Sequence, residues 1–239
     1  MNHSIDTIPF LNLALVFLPV LIVTAVLYKW NQGHGNAIYA VSRMLIQLLI
    51  VGYFLAFIFE SKSAWVVLLV LFVMVSVSSW IALRTLRDRH PYLYAKTFIS
   101  LILGGGTTLI VVTQGVLDLH PWYLPSHFIP LAGMIFANAM NSISLAADRM
   151  EAEISRNVEY AEARNIAFRA ALIPITNSLF AVGLVAIPGM MTGQILSGVS
   201  PLIAARYQIM VMCMIYGASG ISAACFLTLV KQNLKIVEG

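Results

Sequence analysis

Charge is what this sequence has least of. Only 10% of its 239 residues are charged, against about 25% in soluble globular domains. With 60% hydrophobic residues and a mean hydropathy of +0.88, a water-soluble enzyme with one core is excluded, as are disordered and collagen-like chains. The composition is that of an integral membrane protein. Cysteine is nearly absent too. Cys213 and Cys225 fall in one apolar run and stand about 18 Å apart along a helix, too far for a disulfide. The apolar runs hold no carboxylate: Asp6, Glu60, Asp88, Asp118, Asp148, Glu151, Glu153, Glu159, Glu162 and Glu238 all lie outside them. Proton- and ion-coupled carriers use such a group as a relay, so that class is disfavoured.

No G-x-x-x-x-G-K-[ST] loop occurs, so the chain alone is no ATPase. The run Gly104-Gly105-Gly106-Thr107-Thr108 lacks the lysine and reads as a close helix contact or kink. His3, His34, His90, His120 and His127 are scattered without metal-ligand spacing. His120 and His127 share a segment with Asp118 that reads as an interfacial loop anchored by Trp122 and Tyr123. No nucleophilic triad or dyad is arguable. Catalytic residues and bound cofactors are therefore expected to be absent from this chain.

Seven runs reach the roughly 20 apolar residues a bilayer core requires: Ile8–Leu27, Ala40–Phe59, Ala64–Leu83, Thr97–Leu117, Phe128–Ala147, Ala170–Met191 and Ile209–Val230. The first, with no preceding basic residue and no clear cleavage site, reads as a retained span. Arg43 in the second is expected in its first turn, with its head group in the interface. No ten-residue alternation suggests a β-barrel. The expectation is an all-α polytopic bundle of about seven spans, forming one permease domain over residues 1–239. An external N-terminus places Lys29, Arg43, Arg84, Arg87, Arg89, Lys96, Arg149, Arg156, Arg164, Arg169, Lys231 and Lys235 inside, and of the 14 basic residues leaves only Lys62 and Arg206 outside. The net charge of +4 thus belongs to membrane flanks and implies no nucleic acid.

Polar residues within the runs are few. Gln47, Asn138, Asn141, Asn177 and Ser178 either bind helices together or line a pathway. Met190-Met191 and the pair Met210 and Met214 are packing residues or soft ligands of the kind that suit Cu(I). The most charged segment is Asp148–Arg169, where Met150, Ile154, Val158 and Ala161 recur as the stripe of an amphipathic helix. Arg149 and Glu153 are spaced to pair. The mixed signs favour a protein partner over lipid. Pro174 and Pro188-Gly189 mark breaks near the two ends of the sixth run, either a moving element or a packing kink.

Three stretches, Arg169-Ala-Ala-Leu-Ile-Pro-Ile-Thr-Asn-Ser178, Val182-Gly-Leu-Val-Ala-Ile-Pro-Gly-Met-Met-Thr-Gly-Gln194 and Ala205-Arg-Tyr-Gln-Ile209, resemble the FetB-type ABC permeases. That family includes bacterial permeases assigned to iron export and the plant aluminium-sensitivity membrane proteins. The segment between Arg149 and Ala171 is shorter than the family pattern. The resemblance implies the permease subunit of an ABC transporter in the inner membrane, exporting a metal ion such as iron. It further implies a separate ABC ATPase subunit that hydrolyses ATP, and a homodimer of permeases with two ATPases. Glu151, Ile154, Val158 and Glu162 are then the candidate coupling residues. Asn138, Asn141, Pro174, Asn177, Pro188, Gly189, Met190 and Met191 are the candidate pathway or gating residues. An ATPase-independent channel or carrier, and a membrane scaffold for a soluble partner, are the alternatives.

Overall fold

The structure, a computed structural model, describes residues 8–60, 63–86 and 91–237. The readings on His3, Asp6, Lys62, Arg87, Asp88, Arg89, His90 and Glu238, and on the side chain of Lys235, lie outside the described residues. Helix dominates, and among the described residues the one β feature is an isolated bridge between Val182 and Ala186. Six helices are long and apolar enough to cross a membrane. The chain divides into two compact units, Met1–Phe59 and Glu60–Gly239.

The first unit contains α1 (Phe10–Leu15), α2 (Phe17–Lys29) and α3, which is His34–Glu60. Among its described residues none is buried. Aliphatic side chains point outward all round, which is stable only where lipid or protein solvates them. α3 starts earlier than expected, so Arg43 lies well inside it rather than in its first turn. There the Gln47 amide, one turn on, lies against the Arg43 guanidinium, and with its oxygen turned toward Arg43 it accepts at 3.0 Å and 3.3 Å.

The second unit has a core. α4 (Ala64–Ala82) is followed by α5 (Pro91–Leu101), which continues through a π-helical turn at Ile102–Gly106, the short α6 (Thr107–Ile110) and a second π-helical stretch at Val111–Val116. α7 (Pro125–Ile154), α8 (Tyr160–Ala181), α9 (Gly189–Leu196) and α10 (Pro201–Val237) complete it. Buried residues on α7 recur at Phe128, Ala132, Ile135, Ala139, Ser142, Ala146, Met150 and Glu153, one continuous helical face. The centre is lined by small residues. A Cβ placed on Gly104 would stand 2.3 Å from Ser222 Oγ and 2.5 Å from its backbone nitrogen, and one on Gly105 would stand 2.7 Å from the Phe136 ring. The glycine run is thus a helix contact in which α10 and α7 meet bare backbone.

Two readings are corrected. The sixth run is not one helix: α8 ends at Ala181, the chain turns through residues 182–188 with Gly183 at φ +85°, and α9 begins at Gly189. Pro174 lies within α8 without ending it, and Pro188 caps α9 after the break is complete. The amphipathic stripe is not one helix either, because α7 extends to Ile154 and turns back into α8 at Tyr160. Asn157 makes that turn at φ 59°. Its N–H reaches the Ile154 carbonyl (2.9 Å) and the Val158 N–H reaches Glu153 (3.2 Å), the pair of bonds that closes a helix on a left-handed residue.

Candidate functional site

The α7–α8 hairpin, the start of α5 and the far end of α10 share one end of the second unit. Glu153 is its pivot. Its side chain is only 6% exposed and takes Arg149 at 2.6 Å and Arg156 at 3.7 Å, so one half-exposed and one exposed guanidinium neutralise a buried carboxylate. The Arg149–Glu153 spacing seen in the sequence does form this pair. It faces the bundle, however, rather than the outer side of an independent helix.

Further contacts tie the hairpin end together. The Tyr160 hydroxyl donates to the Leu227 carbonyl on α10, and Lys231 Nζ lies 5.3 Å from the Tyr160 ring centre. Burial raises the phenol above its ordinary pKa of 10.0, with Arg164 working against that shift. Lys96 Nζ donates to the Leu229 carbonyl at 2.6 Å and covers the Tyr92 ring. Ile154 and Val158 pack against the core. They therefore form no free ridge, because closing the turn folds both back on the bundle. Beside them opens a groove of about 370 Å3 lined by Leu86, Leu93, Met150, Glu151, Ile154 and Phe226 among others. A second groove of about 460 Å3, between α7 and α8, is lined by Arg149, Glu162, Asn165 and Arg169 with Ala170. Pro174 has no N–H to give the Ala170 carbonyl, so α8 is weakened at that wall.

The candidate residues therefore separate. Glu151 and Ile154 meet at one groove, Glu162 stands at the other, and Val158 packs inward. Asn138 donates to the Met134 carbonyl of its own helix at 2.8 Å, while Asn141 and Asn177 are exposed. Pro174 is exposed within α8, and Pro188, Gly189 and Met191 stand at the start of α9. Met190 joins a cavity of about 340 Å3 at the opposite end of the unit, with Met134 and Met210. Asp118 and His120 pair at 3.2 Å on the surface, and Trp122 stacks edge-on to Tyr123 and Phe128. Among the described residues no group of three or more His, Cys, Asp or Glu could hold a metal ion. Glu153, Tyr160 and Lys96 were missed as site residues. The Arg149–Glu153–Arg156 spacing was a readable signal for the first; nothing local marks the other two, whose partners lie 67 and 133 residues away.

Comparison with known proteins matches residues 10–234 to the model of an uncharacterised protein family, UPF0014. The chain belongs to the UPF0014 family. It is 38% identical to a UPF0014 membrane protein of Synechocystis over 76% of each chain. It is 32% identical to the probable iron export permease protein FetB of Escherichia coli, over 91% of this chain and 90% of that one. It is 34% identical to the protein ALUMINUM SENSITIVE 3 of Arabidopsis thaliana, over 85% and 80% respectively. No solved structure matches. The chain is thus a polytopic UPF0014 membrane protein whose relatives include a permease, and the match spans both compact units.

Proposed function

We propose that this UPF0014 protein is the membrane-spanning permease of an ABC transporter that exports a metal ion such as iron across the inner membrane. A separate ABC subunit hydrolyses the ATP, and two permeases pair with two ATPases. The observation that carries this reading is the similarity to FetB across 91% of the chain. The lack of a nucleotide-binding loop and the absence of carboxylates from the apolar runs support the same division of labour.

In this reading the hairpin end faces the cytoplasm and the ATPase. Arg84, Lys96, Arg149, Arg156, Arg164, Arg169 and Lys231 gather toward that end, with Arg206 toward the other. The ATPase meets the exposed turn at Arg156 and Glu159 and seats an apolar side chain in the groove beside Glu151 and Ile154. Tyr160 ties the turn to α10 and Glu153 braces it locally through Arg149 and Arg156, so displacement of the turn passes into α8. α8 bends at Pro174 and ends at the break before α9. ATP-dependent closure of the ATPases would then favour one of two bundle arrangements through contacts made only in that state.

The test is purification of the tagged chain from its own membrane, followed by reconstitution. An ABC ATPase is expected to copurify, and its ATP hydrolysis in proteoliposomes to rise with added iron. Iron crossing vesicles that contain this chain alone would overturn the reading in favour of a channel or carrier. A soluble partner without an ATPase fold would establish a scaffold instead.

A further inference from the structure

At the end of the second unit opposite the hairpin, the 340 Å3 cavity is lined by methionines from three separate elements: Met134 on α7, Met190 on α9 and Met210 on α10. His127 and Tyr207 also line it, and no carboxylate does. A methionine that serves as filler closes the space around it, because its flexible thioether adapts to irregular gaps. These three instead surround a space with room for several waters, each occupying about 30 Å3. Met134 and Met210 are anchored against the core, while Met190 is 36% exposed on a short helix. His127 Nδ1 stands 3.2 Å from Ser126 Oγ, and in the tautomer where Nδ1 donates to that hydroxyl Nε2 carries the free lone pair.

We propose that this cavity binds a soft monovalent metal ion, Cu(I), through the thioethers of Met134, Met190 and Met210 with His127 at its rim. Thioethers are soft donors that select Cu(I), imidazole accepts copper as readily as other transition metals, and hard iron species and Mg(II) prefer oxygen ligands. The apolar wall adds to that selectivity. Desolvation cost rises with the square of the charge, so a single positive charge enters such a site far more readily than two or three. The inference goes beyond the export reading and does not depend on it, since binding requires neither an ATPase nor transport.

The test uses the full chain in detergent, with Cys213→Ser and Cys225→Ser removing competing thiols, titrated with Cu(I) in a bicinchoninate buffer. One Cu(I) per chain is expected, with sulfur in its X-ray absorption shell and no displacement by Fe(II). Met190→Leu alters an exposed position of similar volume and should leave the fold intact while weakening binding at least tenfold. Adding Met134→Leu and Met210→Leu should abolish it. Undiminished affinity in Met190→Leu, a shell of only nitrogen and oxygen, or no Cu(I) uptake by the parent chain would each overturn the proposal.

Discussion

At position 104 the absence of one methyl group sets how closely two helices approach. A side chain there would overlap both the hydroxyl and the backbone of Ser222, and the backbone cannot rotate away as a flexible side chain can. Two residues on, a methyl added to Gly106 would stand 3.9 Å from its nearest neighbour, in ordinary contact. Gly104→Ala should therefore force α10 outward and cost about 1–3 kcal/mol, as overpacking does. Gly106→Ala should cost little or be mildly stabilising through helix propensity. Thermal unfolding of the two variants in detergent checks the contrast; equal melting temperatures would show that the α10 contact is not close. Glu153 shows the same dependence on neighbours. Its charge is tolerable at 6% exposure because two arginines of adjacent turns reach it.

At the scale of elements, the informative features are where helices stop. Asn31, Asn157 and Gly198 each adopt positive φ at a helix end and each close it with the same paired hydrogen bonds, 3.1 and 2.9 Å at Asn31. The break between α8 and α9 is different. The N–H groups of Leu184, Val185 and Ala186 all converge on the Ala181 carbonyl, and Gly183 donates to the Ala186 carbonyl, so a tight turn replaces helix before Pro188 is reached. Pro188→Ala with Gly189→Ala should therefore leave the break in place. Amide exchange across residues 182–187 is expected to match that of the parent chain. Strong new protection there would show that the proline and its neighbour, rather than the Gly183 turn, separate α8 from α9.

At the scale of the whole molecule, the described basic residues of the second unit other than Arg206 gather toward the hairpin end, and the positive-inside rule predicts an orientation from that asymmetry. The expected topology has the hairpin and the C-terminus in the cytoplasm. A reporter fused after Gly239 should be active only in its cytoplasmic form, and an active external fusion would invert the assignment of both ends. It would also move the proposed ATPase surface to the methionine-lined end.

Sequence alone determined that this chain lives in a bilayer and is helical. Both follow from local quantities: runs long enough to cross hydrocarbon, and a backbone that must satisfy its own hydrogen bonds there. The glycine contact and the Arg149–Glu153 pair were legible for the same reason, since their meaning lies in spacing along one helix. Tertiary structure decided the rest. Ile154 and Val158 have the pattern of an exposed ridge, yet the turn at Asn157 folds them inward, and a stripe carries no record of which side its partner occupies. Tyr160 with Leu227, Lys96 with Leu229, and the three methionines around one cavity come from distant positions in the chain. Helix periodicity specifies which face a residue takes. Which faces meet is set by the packing of whole helices, and no short stretch of sequence contains that information.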